Sequence, residues 1–594
     1  MEGYGGLAIR INKSKPGPLA LCITNFLSFH LLYTFRQVES FLFILPANAI
    51  MKFFVFLVFH SFSYCLIAQQ KIDLLLYNTT IYTVDDSFLV KEAMAVDKGK
   101  IIETGTSNAL LKKYLAAGKI DARGKFVYPG LIDAHAHFVN YGRSLQRADL
   151  RGTDSWNEVL ERLTAFAATN PDGWLQGEGW DQNDWKEREF PTNRKLNELF
   201  PERPVVLSRI DGHAIIANDV ALQKAGINAG DKIDGGEIEV SGDKLTGILV
   251  DNATGLVTSK IPPLSESLLI SALIKAQKNC FASGLTTIDD CGLDYRMAFF
   301  IDSLQKEKLL KMKLFIMLSD VKSNYEFLFS HGKIKTGRLN VSSFKVYADG
   351  ALGSRGACLL QPYNDRTGWN GFLLNSQEHM DSVANILASK GLQMCTHAIG
   401  DSGNRVVLNI YSKYLKGKND RRWRIEHAQV INKNDFHLFG AFNIIPSVQP
   451  LHATSDMPWA GDRLGSDRLQ YSYAFNDLKK ENGWIALGTD FPVEDISPLK
   501  TFYAAIARKD ENGFPGAGFQ RENALSRQDA LRGMTIWAAK SNFEENEKGT
   551  LEAGKFADFI IADQDLLQVS ENKILKTQII MTFINGEKVF EKPD

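Results

Sequence analysis

Cysteine, histidine and net charge are all scarce in this chain, and the first and last of these shortages argue against classes of function. There are six cysteines in 594 residues, with no Cys-x-x-Cys pair and no dense spacing, which argues against a disulfide framework and a cysteine-rich zinc site. A net charge of −1 gives no basic excess to draw in nucleic acid or an anionic membrane surface. No internal repeat and no low-complexity segment stands out. Eleven histidines are few enough that several of them inside short motifs carry information. What is present is 44% hydrophobic and 23% charged residues, the balance of a globular chain with a large core. The length exceeds one small domain but suits a barrel with insertions and a satellite domain.

Residues 51–68, MKFFVFLVFHSFSYCLIA, have a start-type Met51, one Lys52, an apolar run and a small Ala68. That pattern predicts a signal peptide, and the run is too short and interrupted for a transmembrane helix. Bulky Tyr64 before Cys65 disfavours a lipoprotein acceptor. Residues 1–50 hold a second apolar stretch from Leu19 to Phe35. They read as an extension ahead of a biological start at Met51, with a membrane-anchoring N-terminus as the alternative. The expectation is a secreted or periplasmic protein with no stable membrane span after cleavage.

From Lys71 to Ala122, and again from ADFIIADQDL to the end, short apolar runs alternate with Asn, Asp and Gly, which reads as strands and turns. Two β-rich ends around an α/β middle predict one small sheet domain built from both. In between, strand candidates at 286–291, 314–318, 342–350, 392–401, 422–430, 443–450 and 484–490 are separated by helical stretches such as SLLISALIKAQKNCFASG. That alternation predicts βα units in a parallel barrel or sheet. The layout is then 1–70 extension and leader, 71–128 first half of a β-sandwich, 129–495 barrel, 496–545 its C-terminal helical part, and 546–594 the second half of the sandwich. A turn-rich stretch of about 150–265 reads as an insertion, a lid or pocket wall.

The chemistry starts at PGLIDAHAHF (129–138). Side chains alternate along a strand, so His135 and His137 point the same way and can grip one metal ion. Barrel sites lie at that end of the strands. Two structural histidines are the other reading; the preceding Pro-Gly and Asp133 weigh against it. His397 ends QMCTHAIGD and His427 ends RWRIEHAQ, each at an apolar strand's end, although either alone could be a core or surface histidine. Asp490 in WIALGTDFP is either a helix cap or a carboxylate aimed at the barrel mouth. Together these form an N/O ligand set that suits zinc or a similar divalent ion. Lys345 shares a strand face with Tyr347 and Asp349. An inward lysine is costly unless paired or neutralised; it is either salt-bridged or carbamylated into a metal-bridging carboxylate.

Taken together these residues resemble the amidohydrolase superfamily, in particular the branch with N-substituted formamide deformylase (amidohydrolase family 3). The matching pieces are PGLIDAHAHF, IDGHAIIAN (210–218), FKVYADGALGSRGA (344–357), HAIGDSGN (397–404), IEHAQV (425–430), SVQPLHATSD (447–456), GTDFPV (488–493) and GTLEAGKFADFIIADQD (549–565). The resemblance runs over about residues 71–594 and implies a (β/α)₈ TIM-type barrel with a β-sandwich from both termini. It implies His135, His137, His397, His427 and Asp490 as metal ligands and Lys345 as the bridging lysine. One or two divalent ions are expected, zinc first, although such a site also accepts manganese, iron or nickel. The implied activity is hydrolysis of a non-peptide C–N bond, amide or N-formyl/N-acyl, in a small molecule by a metal-activated hydroxide. Asp490 is the expected general acid–base, His213 the donor to the carbonyl oxygen, and Arg355 and His452 the pocket wall. An ester, lactone or phosphotriester hydrolase on the same site is the nearest alternative. A non-catalytic secreted binding protein is the distant one, and a homo-oligomer stays open.

Overall fold

The computed structural model describes residues 69–593. The leader expected at 51–68 and the extension before it lie outside the described residues. Among the described residues no helix is long and apolar enough to cross a membrane.

Eight parallel strands follow one another in chain order around a barrel. They are β1 (Leu131–Ala136), β2 (Leu285–Leu293), β3 (Lys313–Ser319), β4 (Leu339–Tyr347), β5 (Gln393–Ala398), β6 (Arg424–His427), β7 (Ile445–Val448) and β8 (Ala486–Leu487). Strands such as β3, KLFIMLS, are buried along nearly their whole length, as parallel strands covered on both faces must be. The connecting helices show ordinary start and stop chemistry. In Gln377–Lys390 the Ser376 side chain accepts from the His379 N–H, Gly391 ends the helix at φ 65°, and Met380, Val383, Ala384 and Leu387 form the buried stripe.

β8 meets β1 through a short seam. The Asp490 N–H donates to the His135 carbonyl at 2.8 Å, and the Thr489 N–H and hydroxyl donate to the Asp133 carboxylate at 2.9 and 2.7 Å. A Cβ at position 488 would stand 2.5 Å from the His135 nitrogen, so the backbones approach this closely only because Gly488 has none.

Thr80–Tyr82, Val90–Lys91 and Phe126–Pro129 share a six-stranded sheet with Phe559–Ala562, Ile579–Ile584 and Glu587–Glu591. A four-stranded sheet of Gln70–Tyr77, Ala93–Asp97, Lys100–Gly105 and Tyr114–Asp121 accompanies it. Leu76, Ile81, Met94, Val127, Phe559 and Phe583 form the core they share. The two ends of the described chain thus build one sandwich.

Between β1 and β2 lies a second, mixed sheet of six strands: Ala148–Asp149, Leu175–Trp180, Val205–Arg209, Ala214–Ala217, Gly236–Ser241 and Lys244–Asp251. The turn-rich GEIEVSGDKLTG forms its terminal hairpin. Trp180, Trp185, Leu207, Ile216, Ile248 and Val250 give this inserted layer a core of its own, so it is a folded unit rather than a set of loops.

Candidate active site

The strand ends of the barrel bring the histidines together. His135 is the fully buried penultimate residue of β1, and His137 follows as the N-cap residue of helix Phe138–Ser144. Their rings lie 5.6 Å apart. His427 lies 4.7 Å from His135 and 4.5 Å from His397, ring to ring. Asp490 Oδ1 is 3.5 Å from His135 Nε2 and 3.2 Å from His137 Nε2. Potential ligand atoms of His135, His427 and Asp490 all fall within 4.8 Å of one another. Lys345 Nζ, buried on β4, lies 3.3 Å from His135 Nε2. Two members have left-handed backbones, His427 at φ 72° and Asp490 at φ 65°. Such strain, of order 1–3 kcal/mol, persists where surrounding structure enforces it and clusters at functional sites.

A second layer orients these rings. Glu426 Oε2 holds His135 Nδ1 at 2.6 Å, and Gln449 Oε1 holds His427 Nδ1 at 2.7 Å. Each leaves Nε2 as the nitrogen for a metal, with the carboxylate or amide behind it fixing ring and tautomer. Beneath Glu426, buried Arg424 donates to Asp289 Oδ2 at 2.8 Å. Burial, with Lys345 adding to it, lowers the His135 pKa to about 4, and burial drives His397 and His427 well below their usual value. Burial thus favours the neutral imidazole in all three, the form that binds metal. Burial pushes the Asp490 carboxyl up, but the surrounding histidines, with the His137 and His452 rings in direct contact, hold it well below the usual carboxylate range. His397 Nε2 and Asp490 Oδ1 are buried without a hydrogen-bond partner among the described residues. Convergent neutral nitrogens, one ionised carboxylate and orphaned buried atoms fit a divalent cation.

Above this set a cavity of about 1180 Å³ opens, lined from the barrel by His137, Lys345, His397, His427, His452 and Asp490 and from the inserted layer by Asp181, Arg209, His213 and Asp251. His213 Nδ1 lies 2.5 Å from Asp251 Oδ1, and its ring is 5.2 Å from that of His397. Burial alone would lower the His213 pKa, but the charge of Asp251 and its hydrogen bond raise it to about 9. His452 Nε2 is 3.3 Å from Asp490 Oδ2, and its Nδ1 is 2.9 Å from Glu494 Oε1. Asp349, on the same face as Lys345, is buried and accepts from the backbone N–H groups of Cys358, Ile399 and Gly400. It staples the loops after β4 and β5. Arg355, expected at the pocket wall, lies elsewhere in the structure. It is absent from the cavity wall; its guanidinium pairs with Asp365 at 3.0 Å, and its carbonyl accepts from Trp369 Nε1. The buried arginine of the wall is Arg209, which is paired with Asp181 and Asp211.

A family model described as amidohydrolase family matches residues 119–590. The chain belongs to the amidohydrolase family. Among curated relatives, the protein LONG AFTER FAR-RED 3 of Arabidopsis thaliana is 31% identical over 538 residues, covering 87% of this chain and 91% of its own length. The N-substituted formamide deformylase of Arthrobacter pascens is 24% identical over 548 residues, covering 88% and 99%. Among solved structures, an uncharacterized metal-dependent hydrolase from Pyrococcus horikoshii OT3 superposes with a TM-score of 0.69 at 27% identity, covering 84% of this chain and 99% of that one.

In this amidohydrolase several site residues escape a local reading of the sequence. Glu426 stands beside His427 in IEHAQV, and a charged residue in a buried apolar strand is a usable signal. On strict alternation, however, it faces away from its neighbour. Gln449 follows β7 in SVQP with no local mark. Asp251 and Glu494 meet their histidines only through tertiary pairing.

Proposed function

We propose that the chain hydrolyses a non-peptide C–N bond, amide or N-formyl/N-acyl, in a small molecule. The observation that carries this reading is the position of Asp490, with one carboxylate oxygen against the ligand histidines and the other against His452. His135, His137, His397, His427, Asp490 and a carbamylated Lys345 would hold one or two divalent ions, zinc first. Such an ion lowers the pKa of water and polarises a carbonyl. Asp490 takes a proton from the attacking water as the new C–O bond forms, and delivers it to the nitrogen as the C–N bond breaks. His452, anchored by Glu494, fixes the orientation of that carboxylate. His213 stays protonated at neutral pH and donates to the carbonyl oxygen as negative charge builds there. The formamide deformylase relative supports the choice of bond. Export through a leader starting at Met51 belongs to the same reading, and sequencing the mature N-terminus checks it.

The test is metal analysis of the purified protein together with a panel of N-formyl and N-acyl compounds, esters, lactones and phosphotriesters. The expected result is bound metal and fastest turnover on the C–N substrates. Asp490→Asn is expected to lower turnover by roughly 10³-fold or more while the fold and most of the metal remain. Faster ester or phosphotriester hydrolysis, or near-normal turnover by Asp490→Asn, refutes the reading.

A further inference from the structure

His213 is built into the roof together with one partner. It directly precedes the strand Ala214–Ala217, whose antiparallel neighbour Lys244–Asp251 pairs Val250 with Ala214. That register sets Asp251 opposite His213. The Asp251 N–H donates to the His213 carbonyl at 2.7 Å, and the side chains meet at 2.5 Å. Asp251 holds a left-handed φ of 51°, a costly conformation for a residue with a Cβ. Its carboxylate is fully enclosed. Gly350 and Gly356, from the loop after β4, make room for it. A Cβ on Gly350 would stand 2.5 Å from Asp251 Oδ2, and one on Gly356 would overlap the same oxygen. That second oxygen has no hydrogen-bond partner among the described residues, so the side-chain bonding of the group is directed at His213.

We propose that Asp251 is the positioning residue for His213, a role that rests on the hydrolase reading above. By holding Nδ1 it fixes the ring plane and leaves Nε2 as the nitrogen facing the cavity, where the substrate carbonyl oxygen comes to lie. A histidine bonded to a buried carboxylate in this way keeps one orientation, with Nδ1 engaged and the Nε2 N–H left to donate. The barrel contributes to the arrangement through its two glycines. The inserted layer supplies both side chains, so the donor is correctly aimed only when roof and barrel are packed together.

Three variants of the metal-loaded full chain test this: Asp251→Asn, His213→Ala and the double variant. Asp251→Asn is expected to lower kcat about 100-fold, with KM within threefold and metal content unchanged. The double variant is expected to match His213→Ala, because residues that act as a unit are non-additive. If the two losses multiply, Asp251 acts independently of His213 and the proposal fails. Nitrogen NMR of histidine-labelled protein reads the positioning without any substrate. The His213 resonances are expected to move in Asp251→Asn and in Gly356→Ala, which crowds the seat without removing the carboxylate. Unchanged His213 resonances in both would overturn the proposal even in an active enzyme. Moved resonances in a protein with no hydrolytic activity would instead retain the positioning and sink only the hydrolase reading.

Discussion

The floor and the roof of the cavity are built by different rules. On the floor, His135, His397, His427 and Asp490 each stand at or just after the C-terminal end of a barrel strand, so the fold itself makes them converge. On the roof, His213, Asp251, Arg209 and Asp181 come from a mixed sheet with its own core; His213 meets Asp251 across an antiparallel pair and Arg209 meets Asp181 across a parallel one. A floor residue is placed by its own strand. A roof residue is placed by which other strand lies beside it. Damage to the floor should therefore remove the chemistry, and damage to the roof should mistune it.

The largest expected effect tests the floor. His397→Ala removes the one ring whose Nε2 is buried without a partner among the described residues; turnover should fall to background, and dialysed protein should retain less metal by elemental analysis. Near-normal activity with full metal would remove His397 from the set and break the comparison on that side. Next comes Glu426→Gln, which keeps the shape but weakens the grip on His135 Nδ1. Metal affinity or activity should fall about 10–100-fold, read by chelator competition. No change would mean that Glu426 serves only Arg424 beneath it.

How far each part was legible follows from the same division. The barrel strands were readable because short apolar runs and strand-end chemistry coincide within a few residues, as in PGLIDAHAHF. The sandwich was readable because both chain ends carry short apolar runs broken by turn residues. Glu426 was hidden because strict alternation puts it opposite His427, whereas β6 ends at His427 with φ 72° and the rule no longer applies. Gly488 carries no local mark of its role, and only the closed seam reveals that it is the point where β8 touches the backbone of β1. For Asp251 no local pattern sufficed, since 38 residues separate it from His213.

The roof differs electrostatically from the buried histidines at the strand ends. Burial favours the neutral form of His135, His397 and His427, whereas His213 is raised to about 9 by Asp251 despite its burial. A base with a raised folded-state pKa stabilises the fold fully below its unfolded value of about 6.5. That contribution fades as pH rises and is gone above about 9, because the unfolded chain has already released the proton that the folded chain still holds. Urea melts at pH 6 and pH 9.5 should differ by a term on the order of 1–3 kcal/mol that His213→Ala abolishes. An unaltered pH dependence in that variant would show that the His213 charge does not contribute to folding.

The smallest expected effect concerns Arg355, whose side chain is not part of the cavity lining. In FKVYADGALGSRGA it lies ten residues beyond Lys345, in a loop that elsewhere lines the wall through Ala351, Leu352 and Gly353. A cation there invites a substrate-binding role, but Asp365 lies in reach and also binds Arg463. Two guanidinium groups on one carboxylate tie this loop to the helix Ala460–Leu469. Arg355→Ala should therefore leave KM within about twofold and cost no more than roughly 1 kcal/mol of stability, the range of partly exposed ion pairs. Arg209 is the contrasting case, since it is fully buried in the wall between Asp181 and Asp211. Removing its charge strands two carboxylates, and that cost should exceed the Arg355 effect severalfold. If instead Arg355→Ala raises KM tenfold while Arg209→Ala is benign, substrate contact follows the sequence motif and the roof is only a cover.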